Sequence, residues 1–502
     1  MINYVSLINE ATVYDVCIKP PLDKLNQLSQ KCNNSIFLKR EDLQPVHSFK
    51  LRGAYNKISQ LSKQELKQGV IAASAGNHAQ GVAYSAQKLA ISATIIMPVT
   101  TPDIKVAAVK RLNATVILFG DTYDDAYDHA IEIAKQKKLT FIHPYDDPLV
   151  IAGQGTIAVE LLAECPDVDY LFVAVGGGGL IAGVATYIKS INPTIKIIGV
   201  EPDNSACMTA ALAAKKRITL DHVGIFADGV AVKQVGEEPF RLAQIYVDEM
   251  ITVSTDEICA AIKDIFDETR HIAEPAGALA TAGLKAYVKS NSVSQKTLIS
   301  INCGANTNFD RLRHIAERAE IGENKEAIFS VEIPEKPGSF KLFCKLLGKR
   351  PITEFNYRYN TAQSAHIFVG IGLENADSSK NDLLALLSEN HYPTIDLTDN
   401  DVAKLHVRYM VGGHAADVVD EKLFRFQFPE RPGALLKFLT TLGSRWNISL
   451  FHYRNHGAAY GRVLVGIQVP DHDIDTLKAL LDSINYTYFD ETGNPAWQLF
   501  LQ

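Results

Sequence analysis

Between about Ile36 and Glu320, short apolar runs alternate with helical stretches. The apolar runs are continuous, which is typical of parallel strands buried on both faces of a sheet. Six strands are predicted, at 69–73, 93–97, 114–119, 170–175, 196–200 and 297–302. Strands separated by helices favour an α/β architecture with helices on both faces of the sheet. Because the pattern is too long for one compact unit, we predict two α/β subdomains with a cleft between them.

The last third of the chain contains an internal duplication. Three pairs of segments carry it: Phe329–Phe340 and Phe424–Leu435, Phe355–Arg358 and Phe451–Arg454, and Val369–Ile371 and Val465–Ile467. Each copy predicts a strand, a Pro-Gly turn, a helix, two strands, and then a helix and a strand. That is the ferredoxin-like βαββαβ order. With a junction in the charged stretch Glu317–Glu326, we predict folding units at 1–320, 327–399 and 422–493.

A candidate reactive lysine lies in the segment Ser48–Ala54, with the sequence Ser-Phe-Lys-Leu-Arg-Gly-Ala. Apolar residues recur at helical spacing behind it, so a helix is predicted to begin here with Ser48 as its N-cap. Lys50 would then lie in the first turn, where the helix dipole lowers the pKa of an amine. A neutral lysine can form a Schiff base with an aldehyde. From this segment alone, a solvated surface lysine remains the alternative.

A second candidate site is the turn Ser74–His78, between a predicted strand and a helix. The free N–H groups of such a turn can bind an anion such as a substrate carboxylate. Ser74, Gly76 and Asn77 are therefore candidate substrate-binding residues. The amide of Asn77 can also hydrogen-bond a phenolic oxygen on a cofactor ring, although an ordinary N-cap is an equal alternative. We interpret His78 as structural.

Four consecutive glycines, Gly176–Gly179, separate a predicted strand from a helix. The N–H groups of a glycine run can approach a phosphate closely, and the helix dipole favours a dianion there. Glu201 lies near the end of the next strand, where a dinucleotide-binding fold carries its ribose-binding acid. A nicotinamide-dependent dehydrogenase therefore remains an alternative.

The fourth candidate is Cys303, which directly follows the strand 297–302 and begins the sequence Cys-Gly-Ala-Asn. This position puts a thiol at the carboxyl end of a strand, where α/β proteins bind their ligands. A small buried hydrophobe is the alternative for a free cysteine. A catalytic nucleophile would need a histidine base in reach, and the sequence nominates none.

Composition excludes several other classes of protein. The net charge is −7 and no long basic run occurs, so nucleic acid is not an expected partner. The 7 cysteines are scattered without a Cys-x-x-Cys pair, which argues against a zinc site or a disulfide framework. No apolar run approaches the ~20 residues that span a membrane, and no signal or transit segment is recognised. We expect a cytoplasmic protein without a metal site.

Together, the motifs Ser-Phe-Lys-x-Arg-Gly-Ala, Ser-x-Gly-Asn-His, Gly-Gly-Gly-Gly-Leu and x-Gly-Ala-Asn, followed by a doubled module, closely resemble the biosynthetic threonine dehydratases. The resemblance implies a pyridoxal-phosphate enzyme of fold type II, the tryptophan-synthase-β-like fold, followed by two ferredoxin-like (ACT-like) regulatory modules. By this resemblance, Lys50 carries pyridoxal 5'-phosphate through a Schiff base. Cys303 faces the pyridine nitrogen, where related enzymes often carry serine. The other cofactor-binding residues that the resemblance implies are Phe49, Asn77, Gly176, Gly177, Gly178, Gly179 and Leu180.

The resemblance also implies a reaction and its regulation. Such lyases deaminate L-threonine to 2-oxobutanoate and ammonia, the first committed step of isoleucine biosynthesis, with L-serine as a secondary substrate. Isoleucine inhibits them, valine opposes it, and a homotetramer is implied. A Pro-Gly turn can take an amino-acid carboxylate and a tyrosine ring can line an apolar pocket. The allosteric candidates are the turns Pro337-Gly338 and Pro432-Gly433 with Tyr357, Arg358, Tyr453 and Arg454.

Two alternatives within this resemblance remain. The front of the chain also resembles the serine racemases. In those enzymes a second serine directly follows the first serine of the turn that corresponds to Ser74–His78, here called the asparagine turn, and this second serine acts as an acid. Here that position is Ala75, which cannot transfer a proton, so elimination is expected to dominate over racemisation. A non-catalytic amino-acid sensor is the weaker alternative, because Lys50 and the asparagine turn are both intact.

Overall fold

The computed structural model describes residues 2–322, 326–334, 343, 346–347, 352–358, 364–373, 376–409, 420–429, 438, 441, 445–454 and 460–500. The chain divides into two compact units, Met1–Ala319 and Glu320–Gln502. No helix within these described ranges is long and apolar enough to cross a membrane.

The first unit contains two separate sheets. Its strands are β1 (Leu22–Lys24), β2 (Ser35–Arg40), β3 (Val70–Ala73), β4 (Ala93–Met97), β5 (Thr115–Leu118), β6 (Thr140–Phe141), β7 (Tyr170–Ala174), β8 (Lys196–Pro202), β9 (Glu249–Val253) and β10 (Thr297–Asn302). The larger sheet has the order β1-β2-β10-β7-β8-β9, and the smaller sheet has the order β5-β4-β3-β6. The six predicted strands and the two α/β subdomains are confirmed.

Nearly all neighbouring strands of the first unit run parallel, as continuous apolar runs predict. The exception is β1, a short edge strand that pairs antiparallel with β2. The sequence predicted neither β1 nor the parallel strands β2, β6 and β9. In β3, successive side chains enter apolar cores on opposite faces of the smaller sheet. Ala72 belongs to one core, and Ile71 and Ala73 belong to the other. Both faces of this sheet are therefore covered, which explains the unbroken apolar run.

Helices connect these strands and cover the sheets. They are α1 (Tyr4–Asn9), α2 (Asn26–Cys32), α3 (Lys50–Ser59), α4 (Lys63–Gln68), α5 (Asn77–Lys88), α6 (Asp103–Lys110), α7 (Tyr123–Lys137), α8 (Pro148–Glu164), α9 (Gly179–Ile191), α10 (Cys207–Ala214), α11 (Glu237–Tyr246), α12 (Thr255–Thr269), α13 (Pro275–Asn291) and α14 (Arg311–Gly322). Two of them begin where a parallel strand ends, α5 after β3 and α9 after β7. Because the carboxyl ends of parallel strands are where α/β proteins bind ligands, the sites are expected at these junctions.

The second unit consists of two similar sheets. Its strands are β11 (Glu326–Pro334), β12 (Ile352–Arg358), β13 (Ser364–Gly372), β14 (Thr394–Asp396), β15 (Glu421–Pro429), β16 (Asn447–Arg454), β17 (Tyr460–Gln468) and β18 (Thr487–Asp490). The strand orders are β12-β13-β11-β14 and β16-β17-β15-β18, and all neighbours are antiparallel. Its described helices are α15 (Ala376–Glu389), α16 (Asp401–Leu405), α17 (Ile474–Ile484) and α18 (Pro495–Phe500). The duplication and the ferredoxin-like arrangement of the four strands are confirmed, whereas the predicted helix between the first two strands of each copy lies largely outside the described residues.

Several predicted features of the repeats lie outside the described residues. They are the turns Pro337-Gly338 and Pro432-Gly433 and the side chains of Tyr357, Arg358, Tyr453 and Arg454. The backbones of the two Tyr-Arg pairs lie at the ends of the edge strands β12 and β16.

The two repeats share an apolar core in addition to the core that each forms alone. Ile328 and Leu423 occupy equivalent positions in the two repeats, and both contribute to the shared core. Phe368 and Leu464 form a second equivalent pair in the same cluster, which α16 and α18 complete. Trp497, the largest of these side chains, is 2% exposed. Burial of a common core explains why the two modules form one compact unit.

Candidate active site

The segment around Lys50 is attached by backbone hydrogen bonds to the loop after β10. Ser48 and Gly304 form an isolated antiparallel bridge. The N–H of Phe49 donates to the carbonyl of Cys303 over 3.2 Å, and the N–H of Ala305 donates to the carbonyl of His47 over 2.9 Å. The structure therefore brings together two of the four predicted site segments, which are about 250 residues apart in the sequence.

Lys50 is the first residue of α3, as the helical spacing predicts. The predicted N-cap is one residue early, because Phe49 occupies the cap position and no side chain caps the helix. The hydroxyl of Ser48 nevertheless accepts a hydrogen bond from the N–H of Lys50 over 3.3 Å. The Nζ atom of Lys50 donates to the carbonyl of Pro144 over 3.1 Å. Burial lowers the pKa of this amine to about 8, against opposing effects of Cys303 and Glu274.

The N-cap alternative for Asn77 is wrong. The cap position of α5 belongs to Gly76, and Asn77 is the first helical residue. Its side chain faces two other segments instead: Nδ2 donates to Oε1 of Glu274 over 2.6 Å, and Oδ1 accepts from Asn306 over 2.7 Å. Within the same turn, the hydroxyl of Ser74 accepts from the N–H of Gly76 over 3.2 Å. The asparagine turn thus adjoins the loop after β10.

His78 is buried behind this turn. Its Nε2 atom lies 2.8 Å from the carbonyl of Ile142, so Nε2 carries the proton in the neutral tautomer. Burial, followed by the nearby charge of Lys50, lowers the pKa of His78 to about 3. A permanently neutral, backbone-bonded imidazole agrees with the structural interpretation of His78.

The glycine run connects β7 to α9. Gly178 caps the helix with a φ of 91°, a conformation that favours glycine. A side chain at Gly177 would be 2.3 Å from the ring of Tyr145, so the run also requires glycine for close packing. Within the described residues, the backbone N–H groups from Gly176 to Ile181 donate to no protein acceptor. Because buried N–H groups are otherwise almost always paired, this helix N-terminus has the properties of a phosphate site.

Glu201 does not occupy the position of a free ribose-binding acid. Its carboxylate accepts hydrogen bonds from the N–H groups of Met208 and Thr209 over 2.7 and 2.8 Å, and from the hydroxyl of Thr209 over 2.7 Å. Glu201 therefore satisfies the N-terminus of α10 and is fully buried. The dinucleotide-binding alternative loses the residue on which it depended.

Cys303 is 3% exposed, and its Sγ atom donates to the carbonyl of Ala276 over 3.2 Å. Burial and then the charge of Glu274 raise the pKa of the thiol well above its usual range. The sulfur is therefore protonated at neutral pH, which disfavours a nucleophilic role and favours a neutral hydrogen-bonding group.

The sequence-based prediction missed Glu274. This residue precedes Pro275 at the start of α13, where an acid before a proline resembles an ordinary helix beginning. The side chain is instead 4% exposed and bonded to Asn77. Burial and the carboxylate of Asp228 raise the pKa of Glu274 to about 7, although the bond from Asn77 opposes the shift. A buried acid with such a pKa is typical of functional sites.

These residues fit pyridoxal phosphate. The unpaired N–H groups from Gly176 to Ile181 suit a phosphate dianion, and Lys50 is an amine whose lowered pKa favours the nucleophilic form. Cys303 is a neutral partner for a ring nitrogen. No group of residues that could bind a metal ion occurs in the part of the chain that the structure describes.

Comparison with known proteins agrees with this class of site. Residues 14–304 match the sequence model of the pyridoxal-phosphate dependent enzyme family, and residues 317–407 and 412–501 match the C-terminal regulatory domain of threonine dehydratase. Fold and site together define a pyridoxal-phosphate-dependent lyase of fold type II.

Two proteins of similar sequence identify the family within this class. The L-threonine dehydratase biosynthetic IlvA of Burkholderia multivorans is 52% identical, with 99% of both chains covered. The protein of the same name from Escherichia coli is 51% identical, covering 99% of this chain and 97% of that protein. This chain belongs to the biosynthetic threonine dehydratase family.

Solved structures resemble about three fifths of the chain. The processed form of threonine deaminase isoform 2 from Solanum lycopersicum has a TM-score of 0.63 and 49% identity, covering 63% of this chain and 88% of that chain. Maize serine racemase has a TM-score of 0.59 and 30% identity, covering 62% of this chain and 95% of that chain. Because one of these similar structures is a racemase, overall similarity does not distinguish elimination from racemisation. The residues of the site must make that distinction.

Proposed function

We propose that this chain deaminates L-threonine to 2-oxobutanoate and ammonia. The observation that carries the proposal is the joining of the Lys50 segment, Asn77 and the loop that begins with Cys303 by hydrogen bonds, in a chain that belongs to the threonine dehydratase family. Bound pyridoxal phosphate would supply an electron sink that stabilises negative charge at the substrate Cα. Lys50 and Gly176–Leu180 would hold its aldehyde and phosphate, with Asn77, Cys303 and Phe49 against the ring.

The chain's own groups would divide the remaining work. The amine of Lys50 is suited to remove the Cα proton, because its lowered pKa makes the neutral base accessible near neutral pH. The thiol of Cys303 keeps its proton and is therefore neutral. It carries no negative charge that would stabilise a protonated ring nitrogen. Negative charge then stays near Cα, which favours prompt loss of the β-hydroxyl over transamination. The substrate carboxylate would bind at the turn of Ser74, Gly76 and Asn77 through the hydroxyl of Ser74 and the N–H groups at the start of α5. The N–H groups of Ser74 and Gly76 already donate to the carbonyl of Ile96 and the hydroxyl of Ser74.

Release of 2-oxobutanoate from L-threonine by the purified holoenzyme tests this function. We expect turnover with threonine and slower turnover with L-serine, because one methyl-sized group is worth about 1–3 kcal/mol of discrimination. Absence of keto-acid release, with bound nicotinamide cofactor in its place, would overturn the proposal. So would binding of threonine without turnover, which a sensor would show.

Racemisation should be minor. Ala75 has no proton to deliver to the opposite face of Cα, so we expect L-serine to give pyruvate with little D-serine. Chiral chromatography of the reaction measures both products. Ala75→Ser is the matched variant, and we expect it to raise the D-serine fraction. D-serine formed by the unmodified enzyme as fast as pyruvate would contradict the role given to position 75.

Feedback inhibition by isoleucine, opposed by valine, is the second part of the proposal. Its support is the equivalence of the two Tyr-Arg pairs: Tyr357 pairs with Ile367 on β13, and Tyr453 pairs with Val463 on β17. Each pair ends a strand that carries a register shift at the corresponding position. Two equivalent edge-strand positions suit two related amino-acid sites.

Isoleucine should shift the threonine saturation curve of the full-length enzyme by roughly 5- to 150-fold and make it sigmoidal. We expect Tyr357→Ala or Tyr453→Ala to reduce the shift without changing turnover at saturating threonine. Arg445→Ala, at a side chain that is 55% exposed, is the control. An unchanged curve together with no calorimetric binding of isoleucine would refute the regulatory part.

Three further predictions complete the proposal. We expect the catalytic part to span 1–320 and the ACT-like modules to span 327–399 and 422–493. We also expect a homotetramer, which the family resemblance implies, and a cytoplasmic location. Sedimentation analysis of the purified protein tests the tetramer.

A further inference from the structure

We propose that Glu274 and Asn306 are positioning residues that fix the side-chain amide of Asn77, so that one Nδ2 hydrogen remains available to the cofactor. The inference rests on the cofactor contact proposed for Asn77 and extends it to two residues from other parts of the chain.

The orientation of the Asn306 amide is set by a backbone carbonyl. Its Nδ2 atom lies 2.8 Å from the carbonyl of Val46. A carbonyl can only accept, so the atom at this position must be nitrogen rather than oxygen. The same nitrogen lies 2.7 Å from Oδ1 of Asn77. Asn306 thus uses both of its hydrogens as donors, and the oxygen of Asn77 must face it.

With its oxygen fixed, Asn77 must direct its nitrogen toward Glu274. The separation between Nδ2 and Oε1 is 2.6 Å, a short distance typical of a charge-assisted bond. An amide nitrogen carries two hydrogens, so one remains for a ligand. A flipped Asn77 would oppose nitrogen to nitrogen at Asn306, and it would oppose oxygen to oxygen at Glu274 when that carboxyl is ionised. The two partners therefore exclude the other amide orientation.

The backbone holds Glu274 close to Asn77. The N–H of Glu274 donates to the carbonyl of Gly304 over 3.1 Å. A Cβ atom at Gly304 would lie 2.3 Å from Oε1 of Glu274 and 3.2 Å from Nδ2 of Asn77. Glycine at 304 therefore permits the close approach of the two side chains. The charged groups that act on Glu274 from neighbouring segments are Asp228, Lys105, Arg311 and Lys50.

The test uses the resting holoenzyme without substrate, so its outcome does not depend on whether threonine is the substrate. The readouts are the dissociation constant of pyridoxal phosphate and the visible absorption band of the bound cofactor. We expect Glu274→Leu to weaken cofactor binding by roughly tenfold and to shift the band, because a ligand hydrogen bond is no longer held in place. Glu274→Gln keeps an acceptor oxygen and should remain within about threefold of the unmodified protein.

A double-mutant cycle separates positioning from general packing. In the Asn77→Ala background, we expect Glu274→Leu to cause no further loss of cofactor affinity, since it acts through Asn77. Asn306→Asp is an independent variant that cannot donate to either carbonyl oxygen, and it should also weaken binding. Asn308→Asp adds the same charge two residues away and should not weaken cofactor binding.

Two results with the Glu274 variants would overturn the proposal. One is equal damage by Glu274→Gln and Glu274→Leu, which would assign the effect to charge. The other is a Glu274→Leu effect that persists undiminished without the Asn77 side chain. Near-wild-type affinity and an unshifted band in Asn306→Asp would likewise contradict it, even if the Glu274 variants proved unstable.

Discussion

Lys50→Ala lowers the release of 2-oxobutanoate from L-threonine by at least roughly 10²- to 10⁴-fold, the usual contribution of a general base. The loss is expected to be larger still, because the same amine anchors the cofactor. The fold should survive, since the substitution removes a buried cation whose pKa burial already lowers to about 8. Steady-state turnover and thermal unfolding of the variant measure the two effects.

Lys57→Ala is the matched control for this prediction. Lys57 lies on the same helix, and its Nζ atom forms an ion pair with Asp147 over 2.9 Å at the partly exposed surface. We expect this variant to retain turnover. Activity of Lys50→Ala within tenfold of the unmodified enzyme would refute the assigned role of Lys50.

Arg52→Ala lowers the stability of the first unit by roughly 3–5 kcal/mol, the range for breaking a buried ion pair. Arg52 is fully buried between Glu41 and Glu160, with nitrogen–oxygen distances of 2.8 and 2.7 Å. Burial disfavours its charge, but the carboxylates of Glu41 and Glu160 outweigh burial and raise its pKa. Removal of Arg52 would leave the buried carboxylates of Glu41 and Glu160 without the guanidinium group that they contact. Thermal or denaturant unfolding measures the effect.

Two further variants serve as references for the stability loss of Arg52→Ala. Arg241→Ala removes an ion pair with Glu238. Because the side chain of Arg241 is 39% exposed, the variant should lower the free energy of unfolding by at most about 1 kcal/mol. Arg52→Lys keeps the charge but not the planar fork that contacts two carboxylates, so an intermediate loss is expected. A loss for Arg52→Ala as small as that for Arg241→Ala would show that the buried network is not stabilising.

The parts of the fold that depend on local pattern could be predicted from the sequence. Continuous apolar runs identified six of the parallel strands, because strands buried on both faces need apolar residues on both. The parallel strands β2, β6 and β9 were missed. The glycine run and the asparagine turn were found at strand–helix junctions for a similar reason, since backbone N–H groups at a helix start bind anions. The duplicated modules were visible because both copies retain the same turn and strand sequences.

The parts that depend on tertiary contacts could not be predicted. Glu274 meets Asn77 from 197 residues away, and nothing near Pro275 distinguishes it from an ordinary helix start. Arg52 was part of the quoted lysine segment, but its partner Glu160 lies 108 residues away on α8. Glu201 had the spacing of a ribose-binding acid, yet it caps α10. Spacing predicts that a carboxylate is near a strand end, whereas only packing decides which donors it meets.

Borohydride reduction of the purified holoenzyme, followed by proteolysis and mass spectrometry, identifies the lysine that carries the cofactor. We expect bleaching of the visible band, loss of threonine turnover, and a pyridoxyl group on the peptide that contains Lys50. A pyridoxyl group on another lysine, or full turnover of threonine by protein that carries no pyridoxal phosphate, would contradict the assignment of Lys50 and its surroundings as the catalytic site.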